Sequence, residues 1–243
     1  VKVFEFIHDH DHPELTNVDF WLKEKGFQSK KISINSEAKY PDFKDVNLII
    51  LHGGSQHLWN KETDPWLYKE IAYVREALEK SIPVIGFCLG SQIIAEALGG
   101  EVYLADEQEV GWFKIFLNLE GRGSKLLSSL EEYFISFLWH SDHYSLGEGC
   151  KTLAFTDAAE NQLIISDRFP AIGFQFHPEY TKKNIETYLT TYDESCFTVG
   201  KYGYGKESLI KETNKIPETY GLFKVLMDNS LAWLEEMRGV EVY

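Results

Sequence analysis

Cysteine is scarce in this chain, and basic side chains are outnumbered. The three cysteines, Cys88, Cys150 and Cys196, are odd in number and far apart, which argues against a disulfide framework and leaves no C-x-x-C metal or redox pattern. That usage suits a reducing compartment, so a cytoplasmic location is expected. Lys and Arg total 24 against 38 Asp and Glu, a formal net charge of -14. Nucleic acid and anionic membranes reward clustered positive charge, so neither is expected as a partner. No apolar run reaches the roughly 18 residues of a spanning helix. Residues 1–7 are too short for the apolar core of a signal peptide with its flanks, and the missing initiating Met suggests a trimmed chain. Internal repeats, long linkers and low-complexity tracts are also lacking.

What is present is ordinary globular material: 44% hydrophobic and 26% charged residues in a chain of 243, long enough to bury a sizeable core. The reading adopted is a single domain over 1–243, with a catalytic core at 1–180 and a helical extension at 181–243.

Strand and helix signals alternate through the first hundred residues. VKVFEFI (1–7) reads as a strand. Residues 18–25 read as a helix, with Asn17 as its N-cap and Gly26 past its end. Residues 28–34 alternate like a second strand. NLIIL (47–51) is a short continuous apolar run, as for a strand covered on both faces. Asp64-Pro65 opens a helix, with Asp as cap and Pro in the first turn, and Leu67, Ile71, Val74 and Leu78 recur at helical spacing. IPVIGF (82–87) is another buried-type strand, followed by a turn at Cys88 and a helix over 92–98. This order implies an open, mainly parallel α/β sheet with helices on both faces. Residues 110–119, 133–138, 163–166 and 171–176 look like further strands that extend the sheet or add a β-layer. The tail from Thr181 looks helical at both ends. Leu222, Val225, Leu226, Trp233 and Met237 suit one face of the last helix, and VGKYGYGK (199–206) reads as a surface loop between the two.

The segment Gly86-Phe87-Cys88-Leu89-Gly90-Ser91-Gln92 is a G-x-C-x-G pattern between a buried strand and a helix. It is the thiol form of a nucleophile elbow, a strained turn that exposes its central side chain. Flanking glycines leave room where backbone crowds the turn. The helix N-terminus favours a thiolate, the reactive form. Standing alone, a cysteine at a strand end reads more readily as a small buried hydrophobe; the flanking glycines and the strand-to-helix context bring the two readings level.

A thiol nucleophile needs a base, and a leaving amine needs a proton; histidine serves both. Of the eight histidines, His177 stands out. It follows a strand in Gly173-Phe174-Gln175-Phe176-His177-Pro178-Glu179, where Glu179 can orient the ring across a rigid Pro. The plainer alternative is a strand-end histidine beside a solvated glutamate.

Taken together, these pieces resemble the class I glutamine amidotransferase family, the triad type found in GMP synthase and in carbamoyl-phosphate synthase small subunits. GFCLGSQ around Cys88, GFQFHPE around His177 and HGG at residues 52–54 match it in family order, over about residues 1–180. Trp139-His140-Ser141-Asp142 resembles the W-H-G-D segment of stand-alone, GMP-synthase-like members. The resemblance implies a flavodoxin-like sheet with an additional β-layer, and a Cys88–His177–Glu179 triad that hydrolyses the glutamine side-chain amide. It also implies an oxyanion hole from the backbone N–H groups of Gly54 and Leu89, and substrate contacts at Gly53, Gln92, Ser141 and Asp142, the last two on a loop. This chemistry needs no metal and no cofactor, and none is expected. Two departures lie near the expected glutamine pocket: Gly53-Gly54-Ser55 where many members have Gly-Gly-Pro, and Ser141 for the Gly of W-H-G-D. Both leave the identity of the γ-glutamyl compound open.

The remaining clusters are read more plainly. His8, His10 and His12 alternate with Asp9 and Asp11 and have the pattern of an extended metal site, but a solvated loop explains them. His140, Asp142 and His143 are read as loop residues rather than a second acid–base group. VGKYGYGK lacks the P-loop signature, and Cys150 and Cys196 are read as structural thiols. Three functions compete. The first is a glutamine amidotransferase delivering ammonia to a separate synthetase chain, since about 60 residues after Glu179 are too few for a typical domain. The second is a free-standing γ-glutamyl hydrolase or peptidase, and the third a non-catalytic binding or regulatory module.

Overall fold

The computed structural model describes residues 1–197 and 199–239. The apolar run at Leu48–Leu51 forms strand β3, with all four residues fully buried. Its side chains divide by the strand period of two. Leu48 and Ile50 enter one hydrophobic cluster, and Ile49 and Leu51 enter another on the opposite face. Strand β4 (Val84–Phe87) is likewise buried throughout. At roughly 1.5–3 kcal/mol for each large apolar side chain buried, these two strands anchor a sheet that must be covered on both sides.

Among the described residues nine strands form one sheet. Besides β3 and β4 they are β1 (Lys2–Ile7), β2 (Gln28–Ser33), β5 (Val102–Leu117), β6 (Tyr133–Tyr144), β7 (Cys150–Phe155), β8 (Leu163–Ser166) and β9 (Ala171–Phe174). Their order is β2-β1-β3-β4-β9-β8-β7-β5-β6. From β2 to β9 every pairing is parallel. From β9 to β6 every pairing is antiparallel. The strands of the middle third therefore continue the main sheet as an antiparallel half.

Helices α1 (Asn17–Lys25) and α7 (Tyr220–Arg238) cover one face, and α2 (Trp66–Glu79) and α3 (Leu89–Ala97) the other. Leu67, Ile71, Val74 and Leu78 of α2 are buried as their spacing predicts. After a short helix α4 (Leu119–Gly123), the helices α5 (Lys182–Thr191) and α6 (Lys206–Lys215) pack on Val110, Trp112 and Phe137 of the antiparallel half.

Several expectations shift. The cap of α1 is Thr16, in a capping box with Asp19. Asn17 is instead buried and donates to the carbonyl of Pro178 and to Thr219 Oγ1, both at 2.9 Å. Strands β5 and β6 run longer than their apolar stretches, because each is the other's hydrogen-bonding partner over most of its length. Strand β7 is short and lacks the alternation of a strand, and helix α6 carries little apolar pattern, so neither was anticipated. The buried face of α7 is Phe223, Leu226, Met227, Ser230, Leu231 and Leu234. Of the five residues assigned to that face only Leu226 is fully buried; Leu222 and Trp233 pack at the margin of the core. The glycine- and tyrosine-rich segment is no free loop. Val110 bridges to Gly203, its N–H donates to the Tyr202 carbonyl at 2.9 Å, and its carbonyl accepts from Tyr204 at 3.1 Å.

Candidate active site

Open parallel sheets place ligands beyond the carboxyl ends of their strands. Here the adjacent strands β3, β4 and β9 end in the segments singled out above. Cys88 follows β4 directly and precedes α3, with φ 48° and ψ -108°. Among the described residues only Ser81 and Cys88 are non-glycine residues with positive φ. Such a conformation costs about 1–3 kcal/mol and must be held by its surroundings. It is held by the Cys88 N–H donating to the Phe174 carbonyl at 2.7 Å, and by its carbonyl accepting from Ser91 N–H at 2.9 Å and Ser91 Oγ at 2.7 Å. The two elbow glycines face each other. A Cβ on Gly86 would lie 2.3 Å from the Gly90 carbonyl oxygen, and one on Gly90 would lie 2.3 Å from the Leu51 carbonyl oxygen.

His177 and Glu179 follow β9, which pairs directly with β4. Nδ1 of His177 lies 2.7 Å from Oε1 of Glu179, and Glu179 is fully buried. The ring stacks on Tyr180, with centroids 4.7 Å apart and planes 8° from parallel. Burial opposes a charge on His177, but the Glu179 carboxylate and a hydrogen-bonded Cys88 sulfur outweigh it and raise the pKa to about 10. Gly53 backs both groups: a Cβ there would sit 3.0 Å from His177 Cε1 and 3.6 Å from Cys88 Cβ.

A pocket of about 330 Å³ opens over the sulfur, and Gly54, Leu89, Gln92, Ser141, Asp142 and His177 all line it. Gln92 is buried; its Nε2 donates to Gln175 Oε1 at 3.3 Å and reaches the Asp142 carbonyl at 3.5 Å. Ser141 and Asp142 lie on strand β6 rather than on a loop, because β6 stays paired with β5 to Tyr144. The Asp142 carboxylate accepts from His57 Nδ1 at 3.0 Å, Trp59 Nε1 at 3.2 Å and Ser141 Oγ at 3.0 Å.

Other residues around the site went unread in the sequence. Gln175 places Nε2 3.6 Å from the Cys88 sulfur; it precedes His177 by two, a same-face spacing that strand alternation offers as a signal. Tyr180, Tyr188 and Tyr192 form an aromatic wall, with the helical spacing of 188 and 192 its only trace in the sequence. Cys196, read as structural, is exposed and lines the pocket, whereas Cys150 is a half-buried thiol on β7.

The HDHDH segment does not converge. His8 Nε2 pairs with Glu70 at 2.9 Å, and His12 packs edge-on against His52, which pairs with Glu5 at 3.1 Å. Asp9 accepts from Ser55 Oγ at 2.8 Å, Asp11 accepts from the Tyr192 hydroxyl, and both aspartates line the pocket.

The family model for glutamine amidotransferase class-I matches residues 15–191. The glutamine amidotransferase-like protein YfeJ of Salmonella typhimurium is 28% identical over 170 residues, covering 68% of this chain and 71% of that protein. A glutamine-hydrolyzing GMP synthase subunit of Sulfurisphaera tokodaii is 32% identical over 168 residues, covering 68% of this chain and 85% of its own. A solved glutamine amidotransferase of Thermotoga maritima superposes with a TM-score of 0.79 at 24% identity, covering 98% of this chain and 97% of its own, and so attests the fold. With the match spanning most of its length, this chain belongs to the class I glutamine amidotransferase family.

Proposed function

We propose that this protein hydrolyses the side-chain amide of glutamine through Cys88, His177 and Glu179, with residues 1–243 acting as one unit. The observation that carries the reading is the strained Cys88 elbow beside a His177 ring held at 2.7 Å by a buried Glu179. A protonated His177 next to the sulfur favours the thiolate, and the N-terminus of α3 adds to that preference.

In this reading the Cys88 sulfur attacks the amide carbon. Charge on the resulting oxyanion is met by the N–H groups of Gly54 and Leu89, each such donor contributing about 10²–10³ in rate in comparable enzymes. His177 gives its proton to the departing ammonia, leaving a thioester on Cys88. The neutral ring then takes a proton from water, whose oxygen attacks the thioester to release glutamate and regenerate the thiolate. Gln92 contacts the bound glutamine, and Ser141 and Asp142 meet its amino-acid end. The Sulfurisphaera relative is by its name one component of a synthase, which supports ammonia delivery to a separate synthetase chain.

A second reading, a γ-glutamyl hydrolase, is favoured by one feature: the pocket continues past the sulfur to Asp9, Asp11 and Tyr192, a wall able to hold an amine substituent larger than ammonia. The test is glutamate release from glutamine and from γ-glutamyl amines, side by side, by wild type and Cys88→Ala. Glutamine preferred, with turnover lost in Cys88→Ala, supports the first reading. Preference for γ-glutamyl amines moves the assignment to the second. Turnover unchanged in Cys88→Ala overturns both.

A further inference from the structure

Behind the pocket, on the antiparallel half of the sheet, Glu109, His140 and His143 bring one ligand atom each to within 4.8 Å of the others. Glu109 and His140 pair across β5 and β6, next to the irregularity in β5 between Leu104 and Glu109. Glu109 is fully buried and His140 nearly so. Among the described residues, Nε2 of His140, Nε2 of His143 and Oε1 of Glu109 are buried without hydrogen-bond partners. His140 Nε2 lies 3.1 Å from Glu109 Oε2 but outside hydrogen-bond alignment. Buried polar atoms are paired almost without exception, and a convergent unpaired set calls for a bound species.

The surroundings select a cation. Nδ1 of His140 lies 3.2 Å from the Asp142 carbonyl; donating there fixes the tautomer and leaves Nε2 as a lone pair aimed at the cluster. Glu109 Oε2 accepts from Gln162 Nε2 at 2.6 Å, which orients the carboxylate and leaves Oε1 free. An imidazole tied down through its far nitrogen and a carboxylate held by a second side chain are the usual supports of metal ligands. With His143 as the Nδ1–H tautomer, three lone pairs converge; a water molecule has two hydrogens and cannot satisfy all three, whereas a metal ion can. A route in exists: His143 and Tyr103 line a cavity of about 560 Å³ whose wall includes Asp106, Glu107 and Asp157.

We propose that Glu109, His140 and His143 form a binding site for a divalent transition-metal ion of the zinc type, adjoining the Cys88 pocket, whose wall His140 shares. Two imidazoles and one carboxylate with a fourth position open suit Zn²⁺, and imidazole disfavours Mg²⁺ and Ca²⁺. Bond lengths of about 2.0–2.2 Å would draw the three ligands closer together. The ion would pin β5 to β6 and, through the His140 contact, steady the Asp142 carbonyl beside Gln92. The proposal does not depend on the hydrolytic reading.

The experiment uses tag-free protein with Cys88→Ser and Cys196→Ser, so that neither pocket thiol competes for metal. After chelation and dialysis, zinc chloride is added by calorimetric titration and retained metal is counted by mass spectrometry. One zinc per chain is expected, with no heat from magnesium chloride. His143→Ala and, separately, the near-isosteric Glu109→Gln should each weaken binding by more than about 100-fold, with native circular dichroism in at least one of them. Absence of retained zinc in the parent protein overturns the proposal. Undiminished affinity in a folded His143→Ala or Glu109→Gln variant does so too, since the ion would then sit elsewhere.

Discussion

His177 and Glu179 are joined by a 2.7 Å contact between Nδ1 and Oε1 across a single proline. Glu179 is fully buried, so the ring is held by a carboxylate that water does not screen. Replacing it with the isosteric amide in Glu179→Gln keeps the shape and removes the charge. The expected outcome is a fall in kcat of about 10²–10⁴ with KM little changed. The His177 pKa, read by NMR, should drop from about 10 toward its ordinary value.

Stability should pass through a maximum near pH 6.5. His177 is raised to about 10 in the folded state, so its contribution is complete below its ordinary pKa near 6.5 and is lost as pH climbs to about 10. His12 runs the other way. Burial and neighbouring His52 lower it to about 2, so the folded state resists protonation that the unfolded chain accepts, and stability is lost as pH falls below 6.5. Urea midpoints at pH 5.5, 6.5 and 9.5 in the presence of a chelator check both arms. Glu179→Gln should flatten the alkaline arm and His12→Gln the acid one.

Gly86→Ala and Gly90→Ala each drive a Cβ to 2.3 Å from a backbone carbonyl oxygen. Since backbone cannot yield as a side-chain end can, each should destabilise by at least about 1–3 kcal/mol. Each should also displace Cys88, lowering its rate of alkylation by iodoacetamide. Gly26→Ala meets nothing within 4 Å and bears only its positive-φ strain, φ 68°; it should leave the alkylation rate unchanged.

Asn17 ties the start of α1 to the Pro178 carbonyl and to Thr219 Oγ1. Asn17→Ala leaves the buried Pro178 carbonyl and the half-buried Thr219 hydroxyl without their donor and should cost about 1–3 kcal/mol in chemical denaturation. Because Pro178 lies between His177 and Glu179, kcat should fall with stability. Thr16→Ala removes a cap on the same helix; it should cost about 1 kcal/mol and leave kcat unchanged.

Legibility followed locality. The elbow at Cys88 and the His-Pro-Glu run are short segments whose meaning lies in residue type and spacing, and Cys88, Leu89 and His177 line one pocket. Strands β3 and β4 were legible because burial on both faces writes an unbroken apolar run. Helix α6 was not, since its sequence is mostly polar, and strand β7 was not, since it is short and owes its form to its pairing partners. The role of Asn17 was misjudged for the same reason: a cap propensity is local, whereas its partners Pro178 and Thr219 come from the other end of the chain.

By itself the sequence determined the α/β alternation, the strained turn that presents a thiol, and the carboxylate two residues beyond a histidine, because backbone sterics and short-range spacing act within a few residues. Only the tertiary structure decided that β4 and β9 lie side by side, so that sulfur and imidazole share one pocket. It alone brought Glu109 of one strand to the two histidines of the next. Such pairings depend on which strands exclude water together, and that is settled by the whole core rather than by any segment of it.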